Sequence, residues 1–154
     1  LHTYIKMENN PLNILLADDD EADRLLFTDA FSELKIKTIV QTVNDGIELM
    51  KWLNEKEALL PDLLFLDLNM PRKNGLECLK EIRSNEKLKN ISVAIYSTSN
   101  SQRDIEETFV NGANTYITKP SDFNFLKKVL EKAVITAYHH QEGGMNRETF
   151  LLKI

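Results

Sequence analysis

The sequence is short of the residues that several kinds of chemistry require. It has one cysteine, three histidines and no apolar run approaching the ~20 residues of a membrane-spanning helix. A lone Cys78 cannot close an intramolecular disulfide, which fits a reducing compartment, and its apolar neighbours point to a buried thiol rather than a nucleophile. His2, His139 and His140 all fall in terminal segments and read as solvated polar residues. Positive charge is not in excess either. Lys and Arg number 19 against 24 Asp and Glu, so the formal net charge is -5 and the pI is near 5.3, the wrong sign for a nucleic-acid surface. The cluster Lys127, Lys128 and Lys132 is interrupted by Val129, Leu130 and Glu131 and reads as the wet side of an amphipathic helix. Residues 1–10 lack the basic start, apolar centre and small-residue cleavage site of an export signal, so a cytoplasmic protein with a loose leader is expected. There are no repeats and no low-complexity tracts.

What remains is 154 residues, 42% hydrophobic and 28% charged, the composition of one soluble globular domain. Along the chain, strand-like and helix-like stretches alternate. Asn13 to Ala17 is a short apolar run, followed by a helical pattern over 21–33 with Ala22, Leu26, Ala30 and Leu34 four residues apart. Lys37 to Val43 is rich in β-branched residues; Asn44-Asp45-Gly46 breaks it, and Met50 and Leu53 mark the helix that follows. Leu63 to Leu66 is apolar on both faces, as in a fully buried strand, and Asn74-Gly75 opens a helix carrying Leu76, Leu79 and Ile82. Ser92 to Tyr96 and Asn114 to Thr118 are the last two strand candidates. Between them a weakly amphipathic helix over 102–110 ends at Asn111-Gly112. The final helix, 122–138, has the cleanest stripe: Phe123, Leu126, Leu130, Ala133, Val134 and Ala137, with Asp122 as its cap.

Alternating strands and helices imply right-handed parallel crossovers and a doubly wound α/β sheet, whose ligands sit beyond the carboxyl ends of the strands. The polar residues at those ends are Asp18, Asp19 and Asp20 after the first strand, Asp67 and Asn69 after the third, Ser97 after the fourth and Lys119 after the fifth. Hard carboxylate oxygens crowded together suit Mg2+, while the absence of nearby His or Cys argues against zinc or copper. Asp67, stranded behind four apolar residues, is the candidate nucleophile toward a phosphoryl group, with Ser97 and Lys119 available for the other phosphoryl oxygens. Taken singly, each residue has an ordinary explanation: caps and first-turn acids for Asp18 to Asp20, a turn for Ser97, surface charge for Lys119. Their coincidence at four strand ends favours the site.

The segments "ILLADDDEADRLL", "LLFLDLNMPRKNG", "VAIYSTS" and "NTYITKP" resemble, in that order, the signatures of two-component response-regulator receiver domains. The similarity runs from Pro11 to about Tyr138, and is greatest to stand-alone regulators of the phytochrome-associated type. It implies a flavodoxin-like, CheY-like fold: five parallel strands in the order 2-1-3-4-5, wound with five helices. It implies Asp67 as phospho-acceptor, and Asp19, Asp67 and the Asn69 backbone carbonyl as direct Mg2+ ligands, with Asp18 helping to hold the metal through water. Lys119 and Ser97 would contact the phosphoryl group. Tyr116 would be the switch aromatic, turning inward as the Ser97 hydroxyl moves, and Lys119-Pro120 a cis peptide.

The chain departs from the commonest pattern at Ser97, where Thr is more frequent, at Asn74, where Asp is usual, and in its Asp-Asp-Asp triplet; none of these removes a needed group. A receiver over 11–140 is expected, with 141–154 as a tail and no output domain. Its phosphoryl donor would be a sensor histidine kinase or phosphotransfer protein, and its output a phosphorylation-dependent contact with a downstream protein target. A homodimer through the face of the fourth helix, fifth strand and fifth helix is implied by resemblance alone. Beyond its own phosphorylation and slow dephosphorylation it would not be an enzyme. Two alternatives compete: a haloacid-dehalogenase-type Mg2+ phosphohydrolase, weakened by Ala22 and by the lack of a later acidic pair, and a pseudo-receiver that works without phosphorylation.

Overall fold

The sheet is built outward from its most apolar segment. In the computed structural model, which describes residues 10–143 and 150–152, Leu63–Leu66 forms β3 and every residue of it is buried. On one side lies β1 (Leu12–Ala17), on the other β4 (Val93–Ser97); β2 (Thr38–Val43) and β5 (Thr115–Thr118) complete a parallel sheet in the order β2-β1-β3-β4-β5. The expected order and strand directions are therefore those observed. In β2 only Val43 is buried, as befits a partly exposed position at the sheet edge.

Five helices cover the two faces: α1 (Glu21–Ser32), α2 (Gly46–Leu53), α3 (Gly75–Ser84), α4 (Gln102–Val110) and α5 (Phe123–Gly143). Because strand side chains alternate, each strand feeds two cores. Leu15, Leu64, Leu66 and Ile95 pack with Leu49, Leu53, Leu79 and Ile82 of α2 and α3. Ile14, Leu16, Phe65 and Tyr96 pack with Phe27 and Phe31 of α1 and Leu126, Leu130 and Val134 of α5. Of the stripe expected on α5, Leu126, Leu130, Ala133, Val134 and Ala137 are buried and Phe123 packs half-buried beside them, and Asp122 accepts the Phe125 N–H at 2.8 Å as the cap.

The face of α1 is not the one expected. Phe27, Ala30 and Phe31 are buried, whereas Leu26 is 47% exposed and Leu25 60%. Steps of four residues advance about 40° beyond a full turn, so a stripe drawn through Ala22, Leu26 and Ala30 drifts off the true contact face. The two aromatic rings decide the orientation, with Phe27 4.9 Å from Phe65 edge-on.

At the carboxyl end of the chain, α5 continues past Tyr138 to Gly143. Phe150 is buried 5.1 Å from Phe109 and 6.3 Å from Tyr116, Leu151 pairs in parallel with Tyr116, and the Leu152 N–H donates to the Tyr116 carbonyl at 3.2 Å. Residues 150–152, in the segment expected to be a tail, thus extend the edge of β5. The expectations for 1–9 and for the side chains of His2, His139 and His140 lie outside the described residues.

Arg83, in the last turn of α3, ties the lower loops together. Its Nε donates to Gly112 O at 2.9 Å, Nη1 to Lys89 O at 2.9 Å and Ile91 O at 2.6 Å, and Nη2 to Asn114 Oδ1 at 3.0 Å. Arg83→Met removes every donor and leaves these acceptors facing an apolar chain, an expected loss of about 2–4 kcal/mol. Urea denaturation measures it, and Arg83→Lys should recover little because a point charge cannot reproduce the fork.

Candidate functional site

Strand β1 delivers two acids to the rim in opposite roles. The Asp18 N–H continues the ladder to Val43 O at 3.1 Å, and the side chain turns inward and is fully buried. Its Oδ1 accepts the Asp20 N–H at 3.0 Å, and its carbonyl accepts Arg24 Nη1 at 2.9 Å. Asp19 faces outward and is exposed. Asp20 is the N-cap of α1, its Oδ1 taking the Asp23 N–H at 2.9 Å. The acidic run therefore divides between the rim and the helix start.

Asp67 follows β3, and its N–H donates to Ala17 O at 3.0 Å. The loop after it folds straight back. The Asn69 N–H donates to Asp67 Oδ1 at 3.3 Å, Gly75 N–H donates to Leu68 O at 2.9 Å, and a Cβ at position 75 would collide with the Asp67 carbonyl oxygen. Asn74 starts α3 with a reciprocal capping box to Glu77. Arg72 adopts a φ of 67°, rare for a residue with a Cβ, and pairs with Asp45 Oδ2 at 3.1 Å, which anchors the loop to the cap of α2.

Lys119, just beyond β5, is fixed by its N–H bond to Ser97 O at 2.8 Å. Its ammonium lies 2.8 Å from Asp18 Oδ2, 2.9 Å from Asp23 Oδ2 and 3.5 Å from Asp67 Oδ2, and 5.3 Å above the Tyr96 ring. Burial works to lower the lysine pKa, but the contacts with Asp18 and Asp23 outweigh it and the net direction is upward. Asp67 is pushed up to about 6, chiefly by burial and further by Asp18, with Lys119 opposing. Burial likewise holds the Cys78 thiol up at about 12, so it is an inert core group as expected.

Ser97 is buried, and its hydroxyl accepts the Ser99 N–H at 3.2 Å. Tyr116 already has its ring fully buried, with the hydroxyl donating to Ser99 O at 2.7 Å and Phe150 packed against it. The Lys119-Pro120 peptide is trans rather than cis, the form that X-Pro bonds favour by about 0.5–1 kcal/mol when nothing else intervenes.

Asp18, Asp19, Asp67 and Lys119 are thus brought together at the rim, whereas Asp20 caps α1 and the Ser97 hydroxyl is engaged by the Ser99 N–H. Asp18, Asp19 and Asp67 each offer a carboxylate oxygen within 4.8 Å of the other two. Asp18 Oδ2 is fully buried and, although the ammonium is close, it receives no aligned hydrogen bond. A buried oxygen with an unused lone pair, beside two more carboxylates and no softer donor, fits a hard divalent cation. One functional neighbour was overlooked by the sequence reading: Asp23, third residue of a helix capped at Asp20, whose carboxylate reaches Lys119. Its position in the first turn after a strand end was the available signal.

The response regulator receiver domain family matches residues 14–131. The response regulator Rcp1 of Synechocystis is 32% identical over 127 residues, covering 80% of this chain and 86% of that protein. The crystal structure of the phosphorylated cyanobacterial phytochrome response regulator RcpA superposes with a TM-score of 0.71 at 35% identity, covering 85% of this chain and 92% of that one. The Mn(2+)-bound form of Rcp1 gives the same TM-score of 0.71 at 28% identity, over 89% of this chain and 96% of its own.

Proposed function

The chain belongs to the response regulator receiver family, and on that premise we propose that it accepts a phosphoryl group onto Asp67 from the phosphohistidine of a sensor kinase or phosphotransfer protein. The observation that carries the proposal is the convergence of a buried Asp67, the Asp18 and Asp19 carboxylates and the Lys119 ammonium on one rim. An Asp67 carboxylate oxygen forms the new O–P bond as the donor's P–N bond breaks, and the electron pair returns to the imidazole. With its pKa near 6, Asp67 is predominantly the nucleophilic carboxylate at neutral pH. Lys119 and the Ser97 hydroxyl meet the phosphoryl oxygens. Asp19, Asp67 and the Asn69 carbonyl, aided by Asp18, would hold Mg2+, whose charge offsets that of the carboxylates and the transferred group. Beyond this one transfer and the slow loss of the phosphoryl group, the protein signals rather than turns over a substrate.

Output follows through contacts with a downstream protein, because two conformations of differing affinity suffice to report the modification. We place those contacts, and a homodimer, on the face formed by α4, β5 and α5. Residues 150–152 lie on that face, so any partner there must incorporate or displace them. The net charge disfavours nucleic acid, and no described helix is long and apolar enough to cross a membrane; a cytoplasmic site of action accords with a kinase donor.

Incubation with Mg2+ and acetyl phosphate should yield a stoichiometric, acid-stable and base-labile adduct, read by intact-protein mass spectrometry. Continuous release of phosphate from simple phosphate esters would instead indicate a phosphohydrolase, and failure to form any adduct a phosphorylation-independent binder.

A further inference from the structure

Lys119 has one more carboxylate partner than the phosphoryl chemistry asks for. Of the three within reach of its ammonium, Asp18 and Asp67 belong with Asp19 to the oxygen cluster suited to a cation, and Asp23 does not. An ammonium carries three donors and no acceptor. One donor held by Asp23 leaves two for other oxygens.

The way α1 begins explains why Asp23 is free to do this. In a capping box, the acidic residue at the third helical position turns back to the N–H of the cap. Here the Asp20 N–H is already bound to Asp18 Oδ1 at 3.0 Å, so the Asp23 carboxylate is released from that local bond. It reaches across the rim to a lysine 96 positions later in the chain. Both ends of the pair are anchored through their backbones, Asp23 N–H to Asp20 Oδ1 and Lys119 N–H to Ser97 O. The Asp23 side chain is one-third exposed, at the mouth of the site, while Asp18 is fully buried beneath it.

We propose that Asp23 is a positioning residue, which keeps the Lys119 ammonium beside Asp67 while Asp18 and Asp67 engage other partners. The inference rests on the receiver reading of Asp67. A cation held by the Asp18, Asp19 and Asp67 cluster would draw on carboxylates that Lys119 also contacts, and phosphorylation would use an Asp67 oxygen for the O–P bond. Asp23 stands outside both events and retains its contact throughout. A lysine freed from it would regain side-chain freedom just when its direction matters.

The test compares Asp23→Ala and Asp23→Asn with the wild-type chain, using acetyl phosphate and phosphoramidate as donors at saturating Mg2+. Asp23→Ala is expected to slow adduct formation on the order of tenfold with both donors. The Mg2+ dissociation constant, measured by calorimetry, should hold. Asp23→Asn, which keeps an acceptor oxygen, should recover part of the rate. In the metal-free protein, the NMR resonance of the Lys119 ammonium should lose its protection from exchange in Asp23→Ala. Wild-type rates in both variants, equal acceleration in both, or slowing with acetyl phosphate alone would overturn the proposal, the second because Asp23 would then act only as a repelling charge and the third because the effect would belong to that donor rather than to the lysine. If the wild-type chain takes no phosphoryl group from either donor, the receiver reading fails instead. An ammonium resonance unchanged in Asp23→Ala would then overturn the positioning role independently.

Discussion

Asp67→Asn is expected to abolish phosphoryl adduct formation and, in the same protein, to raise the stability of the metal-free fold at neutral pH. The adduct is lost because an amide is not a nucleophile toward phosphorus. The gain in stability comes from removing a charge that the fold does not accommodate comfortably. Asp67 has its pKa raised from 3.8 to about 6, mainly by burial. A carboxyl with a raised folded pKa binds its proton more tightly in the native than in the unfolded state. Between those two values the unfolded chain has ionised and the native chain has not, so stability falls as pH rises. The penalty is absent below about pH 4 and fully present above about pH 6, where a shift of roughly two units at ~1.4 kcal/mol each amounts to about 3 kcal/mol. The variant's side-chain amide escapes the penalty while keeping an acceptor for the Asn69 N–H. The two melting curves should therefore coincide near pH 4 and separate toward pH 7. Saturating Mg2+ should reverse the ranking, since a cation at a hundred times its dissociation constant adds about 2.7 kcal/mol to the wild-type chain and less to a variant lacking one ligand. A variant less stable than wild type in metal-free buffer at pH 7.5 would contradict the account.

The rim was legible in the sequence because each of its members follows a strand whose own signal is local. Four consecutive apolar residues before Asp67 leave little else for that carboxylate to be than the end of a buried strand. Asp20 and Asn74 declare themselves as caps by residue type alone. Strand order was a different matter: Leu16 pairs with both Thr42 and Phe65 through parallel ladders, and nothing in either segment encodes which neighbours it will have. That order came with the family resemblance. The Asp23–Lys119 pair was missed for the same physical reason, since an ion pair spanning most of the chain has no local pattern. On α1, aromatic packing against β3 overrode a stripe drawn from regular spacing. Phe150 reads in the sequence only as part of a tail, because three apolar residues after two glycines carry no periodicity that would say whether they dock. Its burial depends on the exposed edge that β5 offers and on the gap between Phe109 and Tyr116.

Lys119→Met should have the opposite sign and a comparable size, costing about 3–5 kcal/mol at pH 7.5 in the absence of metal. The ammonium is only 9% exposed and is the cation for Asp18, which is wholly buried, and for Asp67, which nearly is. A methionine fills much the same space but leaves these carboxylates facing each other, with Asp19 nearby, and no cation among them. Lys119 is also the largest influence holding the Asp67 pKa down, so its removal drives that pKa above 6. The sign again follows from the raised folded pKa: the added penalty is present at neutral pH and disappears as both states become protonated toward pH 4. Urea denaturation across that range should show the deficit shrinking on acidification, and Mg2+ should shrink it at pH 7.5 by supplying charge to the same oxygens. Because the two substitutions act on one electrostatic contact, their effects should not add. Asp67→Asn in the Lys119→Met background should restore more stability than it contributes in the wild-type background, since the charge it removes has become costlier. Simple additivity, or a Lys119→Met deficit that does not change with pH, would mean that lysine packing rather than charge neutralisation holds this corner of the fold together.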